Sequence, residues 1–588
     1  MRAYLHGSSR ESASLGLNPK EGVYNTGTVY LGNKERHGDG PVYPMLEQEY
    51  ISVAKAAFCV CINLVHCPSS LSHIFITQTF FIMHNILSLT VLSIFLKVGA
   101  CYTLPDTLLG DHASHPRSII STRSSSNSSD CTFDFFDQQI DHFGQYNGTF
   151  KQRYNIITEF FKPGGPIFFF QGEESTELDC VNSTVYSSWV KELNGIAVIL
   201  EHRYFGESAP FGVTDPTDPA QLPKFDYLTL DNVMADGAYF VEYLKKNISG
   251  AEDSKAIVAS GSYGGFLATV FRQNHPEAFY GAIASAPPIE ALSNKTTDTD
   301  RFNWGIWLNN VYQDKSYKAS QNIKNAFAAL ADRFATNNTD GLREELSLCT
   351  QPTSLYDLSL INAIISNIYS DSAEFNYPIS RPGRSSIAAP LEKVIDFALT
   401  QNDPIQILNE TLSMWYGPPP GLDLPCIDWA NPSFALAAVP LIQSPIFTYL
   451  TCKYFPLFGA GDMPNGTIFP ATDSGQFGIE ACDTVYNLST PLAEELRTKY
   501  RYTPADLRNS TRIIWSLGQY DPTSGFSPTQ PGINAPVLTA DRNVSRILYT
   551  TGMAHREDLF APDPSDKETV VEARNIELES IKGWLGFD

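Results

Sequence analysis

The string Ser260-Gly261-Ser262-Tyr263-Gly264-Gly265 is where this sequence first offers chemistry. A serine hydroxyl at its ordinary pKa is a weak nucleophile. It needs a base within hydrogen-bond reach and an acid that orients the base. Small residues around Ser262 suit a sharp strand-to-helix turn that pushes one side chain clear of the backbone. The usual spacing is G-x-S-x-G. Here Ser260 takes the place of the first glycine, and a hydroxymethyl group is small enough to fit. Asp521 follows the apolar RIIWSLGQY and precedes Pro522, while His555 follows RILYTTGMA and is the only histidine after His275. Taken singly, Asp521 reads as a turn-forming Asp-Pro and His555 as a loop histidine. Taken in the order serine, aspartate, histidine, each past an apolar run, they read as the nucleophile, acid and base of an α/β-hydrolase.

Such chemistry places negative charge on a carbonyl oxygen, so two hydrogen-bond donors must face it. The backbone N–H of Tyr263, directly after the nucleophile, is one. The second is expected from the loop after the apolar run PIFFFQ, at the backbone of Glu173 beside Gly172.

The elements that must hold these groups are legible as apolar runs. PIFFFQ at 166–171, IAVILE at 196–201, KAIVAS at 255–260 and the stretch 280–285 have the length and composition of buried strands. Leu230, Met234, Ala238, Val241 and Leu244 recur at helical spacing, and a helix is expected over 266–272. Alternating strands and helices imply a parallel sheet with helices on both faces. From about 290 to 505 strand signals thin out, and 320–334 and 391–399 read as helices. Strand rhythm returns at 512–516 and 546–550, and 569–585 reads as an amphipathic helix. The fold class expected is therefore α/β. An α/β-hydrolase domain at 131–290 and 506–588 is split by a mostly helical cap at 291–505.

The 588 residues carry a formal net charge of -23. That charge excludes a nucleic-acid partner and suits a soluble protein that works in acid. Residues 74–100 form an apolar run containing Met83 and ending in Val98-Gly99-Ala100, the pattern of a secretory signal peptide over 83–100. Residues 1–82 are then a mis-assigned start or an extension. The rival reading is a membrane anchor over 74–96. Cys59, Cys61 and Cys67 lack a second metal-like pair, and 101–130 is a Ser-rich linker or propeptide. Beyond residue 101, Cys131, Cys180, Cys349, Cys426, Cys452 and Cys482 allow up to three disulfides, with the pairing open. Glycan acceptors are dense: Asn127, Asn147, Asn182, Asn247, Asn294, Asn337, Asn409, Asn465, Asn487, Asn509 and Asn543. Together these features point to a secreted protein or one in a lysosome-like lumen.

From Cys131 onward the chain resembles the prolyl-carboxypeptidase family of serine peptidases, which includes lysosomal Pro-Xaa carboxypeptidase, dipeptidyl peptidase II and fungal acid prolyl peptidases. The resemblance rests on QQIDHF at 138–143, TFKQRY at 149–154, GGPIFFFQGEES at 164–175, EHRYFGES at 201–208 and YLT at 227–229. It continues with GSYGGFLA at 261–268, YDPTSG at 520–525, AHREDL at 554–559 and the run DKETVVEARNIELESIKGWL. It implies a helical cap over the site, cleavage after proline at acid pH, and a triad of Ser262, Asp521 and His555.

Five departures stand out. Besides Ser260, the chain has Phe266 where the family commonly has methionine and Thr523 where it commonly has tryptophan. Both positions help line the proline pocket, and losing the tryptophan removes about 1 kcal/mol of contact or more. Glu173-Glu174-Ser175 stands for the family's Asn-Glu-Gly, so Glu174 or its neighbour is a candidate for binding a substrate's α-amino group. His555-Arg556 stands for the family's frequent pair of histidines.

The expected function is thus a secreted serine peptidase acting through an acyl-enzyme, an exopeptidase preferring proline. The alternatives are an esterase or lipase on the same fold, or a binding protein that has lost catalysis. The expected partners are peptide substrates, with a homodimer left open. No cofactor or metal is implied, because no HExxH, Cys-His pair or phosphate-binding loop occurs.

Overall fold

The computed structural model describes residues 131–290, 299–381, 385–417, 426–430, 444–454, 461–472, 475–489, 491–527 and 543–587. The expected extension, signal peptide and Ser-rich segment, Cys59, Cys61, Cys67, Asn127 and Asn294 all lie outside them.

Eight strands form one sheet in the order β1-β2-β4-β3-β5-β6-β7-β8. They are β1 (Asp134–Gln139), β2 (Thr149–Ile157), β3 (Ile167–Gln171), β4 (Ile196–Leu200), β5 (Ala256–Gly261), β6 (Phe279–Ser285), β7 (Ile513–Gly518) and β8 (Arg546–Thr550). β3 to β8 run parallel to one another. β2 pairs antiparallel with both β1 and β4, so the sheet is mixed rather than wholly parallel. The cause is visible in β2: TFKQRYNII alternates exposed and buried residues near its start, as an edge-side strand wet on one face does. By contrast, β3, β4, β5 and β7 are buried at every position. The β4-β3-β5 crossover and the single antiparallel β2 make this an α/β-hydrolase sheet.

The sheet is covered on both faces. Helices α1 (Tyr186–Leu193), α2 (Leu230–Asn247) and α3 (Tyr263–Asn274) connect successive strands, and a further helix, Glu568–Leu585, follows β8. Alternate residues of β3 divide between the two faces. Phe169 joins the core with Phe240 and Phe271, whereas Phe168 and Phe170 join Trp189, Ile581 and Trp584 on the other.

Between β6 and β7 lie α4 (Asn303–Lys315), α5 (Tyr317–Ala335), α6 (Leu355–Glu374), α7 (Pro390–Thr400), α8 (Pro404–Tyr416), α9 (Pro445–Tyr454), α10 (Gly475–Tyr486) and α11 (Ala493–Lys499). They do not share one core. Leu308, Ile323, Ile364, Val394 and Leu408, from α4 to α8, form a core of their own. Tyr449, Cys482 and Leu496, from α9 to α11, pack into the core beneath the sheet. Three disulfides form: Cys131–Cys180, Cys349–Cys426 and Cys452–Cys482. The last two lie within the helical insertion. No helix among the described residues is long and apolar enough to cross a membrane.

Candidate active site

Ser262 sits between β5 and α3 with φ 58° and ψ -129°, a backbone conformation that non-glycine residues rarely adopt. Its N–H donates to the Ser285 carbonyl at 3.0 Å, which anchors the turn to β6. The neighbours must be small. A Cβ on Gly264 would meet Ser260 Oγ at 2.0 Å, and one on Gly265 would meet the Ser285 carbonyl oxygen at 2.4 Å. Ser260 itself is fully buried and donates to the Gln171 carbonyl at 2.7 Å. The hydroxyl in the glycine's place thus ties the elbow strand to the end of β3.

Asp521 and His555 meet. His555 Nδ1 lies 2.9 Å from Asp521 Oδ2, with both side chains buried. Asp521 follows β7, and its other carboxylate oxygen accepts the Thr523 N–H at 2.9 Å. Thr523 is buried, so this bond holds the Asp521 carboxylate in place. His555 follows β8 and is gripped by residues that end α6. Its N–H donates to the Glu374 carbonyl at 2.8 Å, its carbonyl accepts from Tyr377 Oη at 3.0 Å, and the Phe375 ring stands edge-on to the imidazole. The Glu374 carboxylate is 3.8 Å from Nδ1. Glu374, Asp521 and His555 therefore cluster closely enough to suggest metal ligands. The 2.9 Å contact between the last two is a carboxylate–imidazole hydrogen bond, which already accounts for their approach.

The remaining expected residues fall into different places. Tyr263 opens α3, and its hydroxyl lies 3.1 Å from His202 Nε2. Burial lowers the pKa of His202 to about 4, so that imidazole is neutral at ordinary pH. Burial, reinforced by the nearby Glu174 carboxylate, holds the Tyr263 hydroxyl protonated. Glu173 is buried and its carboxylate pairs with Arg556. Glu174 is half-buried, close enough to Tyr263 to act on it electrostatically. Phe266 is fully buried, edge-on to Tyr502 in the core. Of the acceptor asparagines, Asn147, Asn182, Asn247, Asn337, Asn465, Asn487, Asn509 and Asn543 are exposed, and Asn409 is half-buried against Ser347 Oγ.

Several contributors escape a reading of the sequence. The C-terminal end of α6 carries no motif, so Glu374, Phe375 and Tyr377 could not be found from spacing. His202 and Arg203 lie in the quoted EHRYFGES string, which signals that they matter but not how. Arg203 is fully buried and forks onto Asp236, with Nε–Oδ2 2.6 Å and Nη2–Oδ1 2.5 Å. It also donates to the carbonyls of Gln139 and Ile140, so QQIDHF and EHRYFGES are parts of one scaffold.

A family model described as Serine carboxypeptidase S28 matches residues 138–577. Among curated relatives, the Lysosomal Pro-X carboxypeptidase of Bos taurus is 28% identical over 470 residues, covering 77% of this chain and 87% of that protein. Its Homo sapiens counterpart is 27% identical, covering 77% and 88%. The Prolyl carboxy peptidase like protein 5 of Caenorhabditis elegans is 26% identical, covering 74% and 86%.

Proposed function

The chain belongs to the serine carboxypeptidase S28 family and is a serine-type peptidase, and on that premise we propose that Ser262, His555 and Asp521 cleave peptides beside proline as an exopeptidase in an acidic lumen. The observation that carries the assignment is the 2.9 Å contact of His555 Nδ1 with Asp521. It commits the Nδ1 face to the acid and leaves Nε2 as the atom that exchanges a proton with the nucleophile.

Ser262 Oγ attacks the scissile carbonyl as His555 Nε2 takes its proton. The developing oxyanion is met by the backbone N–H groups of Tyr263 and Glu173. The imidazolium returns its proton to the leaving amine, which yields an acyl-enzyme on Ser262. Water, deprotonated by the same imidazole, then releases the acid. Asp521 holds the imidazole in the required tautomer throughout. The proline preference rests on the relatives, whose names carry Pro-X and prolyl carboxypeptidase activity. The lumenal setting rests on the lysosomal relatives and the three disulfides, since disulfides persist in oxidising compartments.

Mass-spectrometric product analysis on a library of proline-containing peptides, run from pH 4 to 8, tests the reading. Release of residues next to proline, fastest in acid, is expected. Cleavage without regard to proline would sink the specificity, and turnover of short acyl esters alone would move the assignment to an esterase.

A further inference from the structure

Arg556 directly follows the triad histidine, and Glu173 lies on the loop that supplies an oxyanion donor. Their side chains form an ion pair, 4% and 7% exposed. Arg556 adopts a left-handed backbone conformation, φ 45° and ψ 31°, uncommon for a side chain of its size. Its stem lies across the elbow: a Cβ on Gly261 would meet Arg556 Cδ at 2.5 Å. The stem of Glu173 lies against Gly264, two residues past the nucleophile, where an added Cβ would meet Glu173 Cγ at 3.2 Å. One ion pair thus spans the histidine loop, the oxyanion loop and both sides of Ser262.

A buried carboxylate beside the oxyanion donors is an obstacle to the reaction. It repels the negative charge that forms on the carbonyl oxygen, and at low local dielectric that repulsion is large. We infer that Arg556 is a positioning residue whose charge neutralises Glu173 and so keeps the oxyanion hole attractive to anions, while its stem fixes the loop carrying His555. The inference rests on the triad proposed above. It also withdraws Glu173 from the candidates for holding a substrate's α-amino group, because Arg556 already occupies that carboxylate.

The test compares purified full-length variants on one proline-containing peptide. Arg556→Met keeps the stem over Gly261 and removes the charge. Its kcat should fall roughly 10- to 100-fold with KM within about threefold, since the loss acts on the transition state. Adding Glu173→Gln to Arg556→Met should recover most of that loss, because the uncompensated charge is gone. Arg556→Lys keeps the charge but not the reach of the guanidinium, so its kcat should lie above that of Arg556→Met.

Undiminished kcat in Arg556→Met overturns the inference. So does a paired variant, or an Arg556→Lys variant, no better than Arg556→Met. If Arg556→Met does not fold, the paired variant and Arg556→Lys still decide: both must fold and turn over, and failure of either contradicts the inference. Fluorophosphonate labelling of Ser262 in the unchanged protein separates the two levels. If it labels and these variants disagree, only the role of Arg556 falls.

Discussion

The His555 N–H donates to the Glu374 carbonyl at 2.8 Å, so the last residue of α6 holds the loop that carries this imidazole. α6 starts at a capping box, Ser354 with Asp357, and buries Ile361, Ile364, Ile365 and Ile368 in the core of α4 to α8. The packing of those helices therefore reaches the imidazole through one carbonyl, and the Tyr377 hydroxyl repeats the grip on the other side of His555. A disturbance in the insertion should be felt in turnover rather than in substrate affinity alone.

Tyr377→Phe tests this grip. It deletes the bond to the His555 carbonyl and leaves a buried acceptor unmatched, at a cost of about 1–2 kcal/mol. A fall in kcat of several-fold with little change in KM is expected from steady-state kinetics. An unchanged kcat would show that Asp521 alone orients the imidazole.

Asp521→Asn should lower kcat by about 10⁴, because the amide stabilises the wrong imidazole tautomer while the shape of the site is kept. A folded variant with kcat within tenfold of the unchanged protein would remove Asp521 from the triad. The Glu374 carboxylate would then be the acid to examine.

Stability should favour acid. Burial, reinforced by neighbouring Asp558, holds Glu577 protonated well above the usual carboxylate range, and burial pushes Asp371 up to about 7. Both groups bind a proton more tightly folded than unfolded. Their contribution is therefore complete below the unfolded values near 4 and is lost as pH rises through the folded ones. For Asp371 that window runs from about pH 4 to 7. Calorimetry should show Tm falling across it, with Glu577→Gln and Asp371→Asn each flattening the slope. A Tm that rises steadily from pH 4 to 7, unaffected by either change, would contradict the assignment.

The Cys349–Cys426 bridge closes a span of 77 residues within the insertion. Replacing both cysteines by alanine should destabilise the fold by about 4 kcal/mol if chain entropy dominates. A denaturant midpoint unchanged by the double replacement would show that the loop is constrained by packing instead.

Much of this site is legible in the sequence, for physical reasons. Buried parallel strands are nearly continuous apolar runs, so β3, β4 and β5 stand out, and the elbow needs tiny residues at fixed positions. Asp521 and His555 follow strands whose runs mark their places. β1 and β2 are harder. DFFDQQ and TFKQRY are half-polar, and their antiparallel pairing depends on partners distant in sequence. The division of the helical insertion between two cores is hidden as well. Amphipathic helices announce an apolar face but not what covers it. Glu173 illustrates the same limit: its place on the loop after β3 is readable, whereas its pairing with Arg556, far along the chain, is a product of the fold.

Whether Ser262 is a nucleophile activated by His555 is decided by its reaction in the native protein. Its most direct measurement is peptide mapping by mass spectrometry after the native protein reacts with a fluorophosphonate. A single phosphonyl adduct on Ser262 is expected, absent after heat denaturation and in a folded Ser262→Ala variant that has lost turnover. A native protein that carries no adduct, or a Ser262→Ala variant that still hydrolyses peptides, would contradict it.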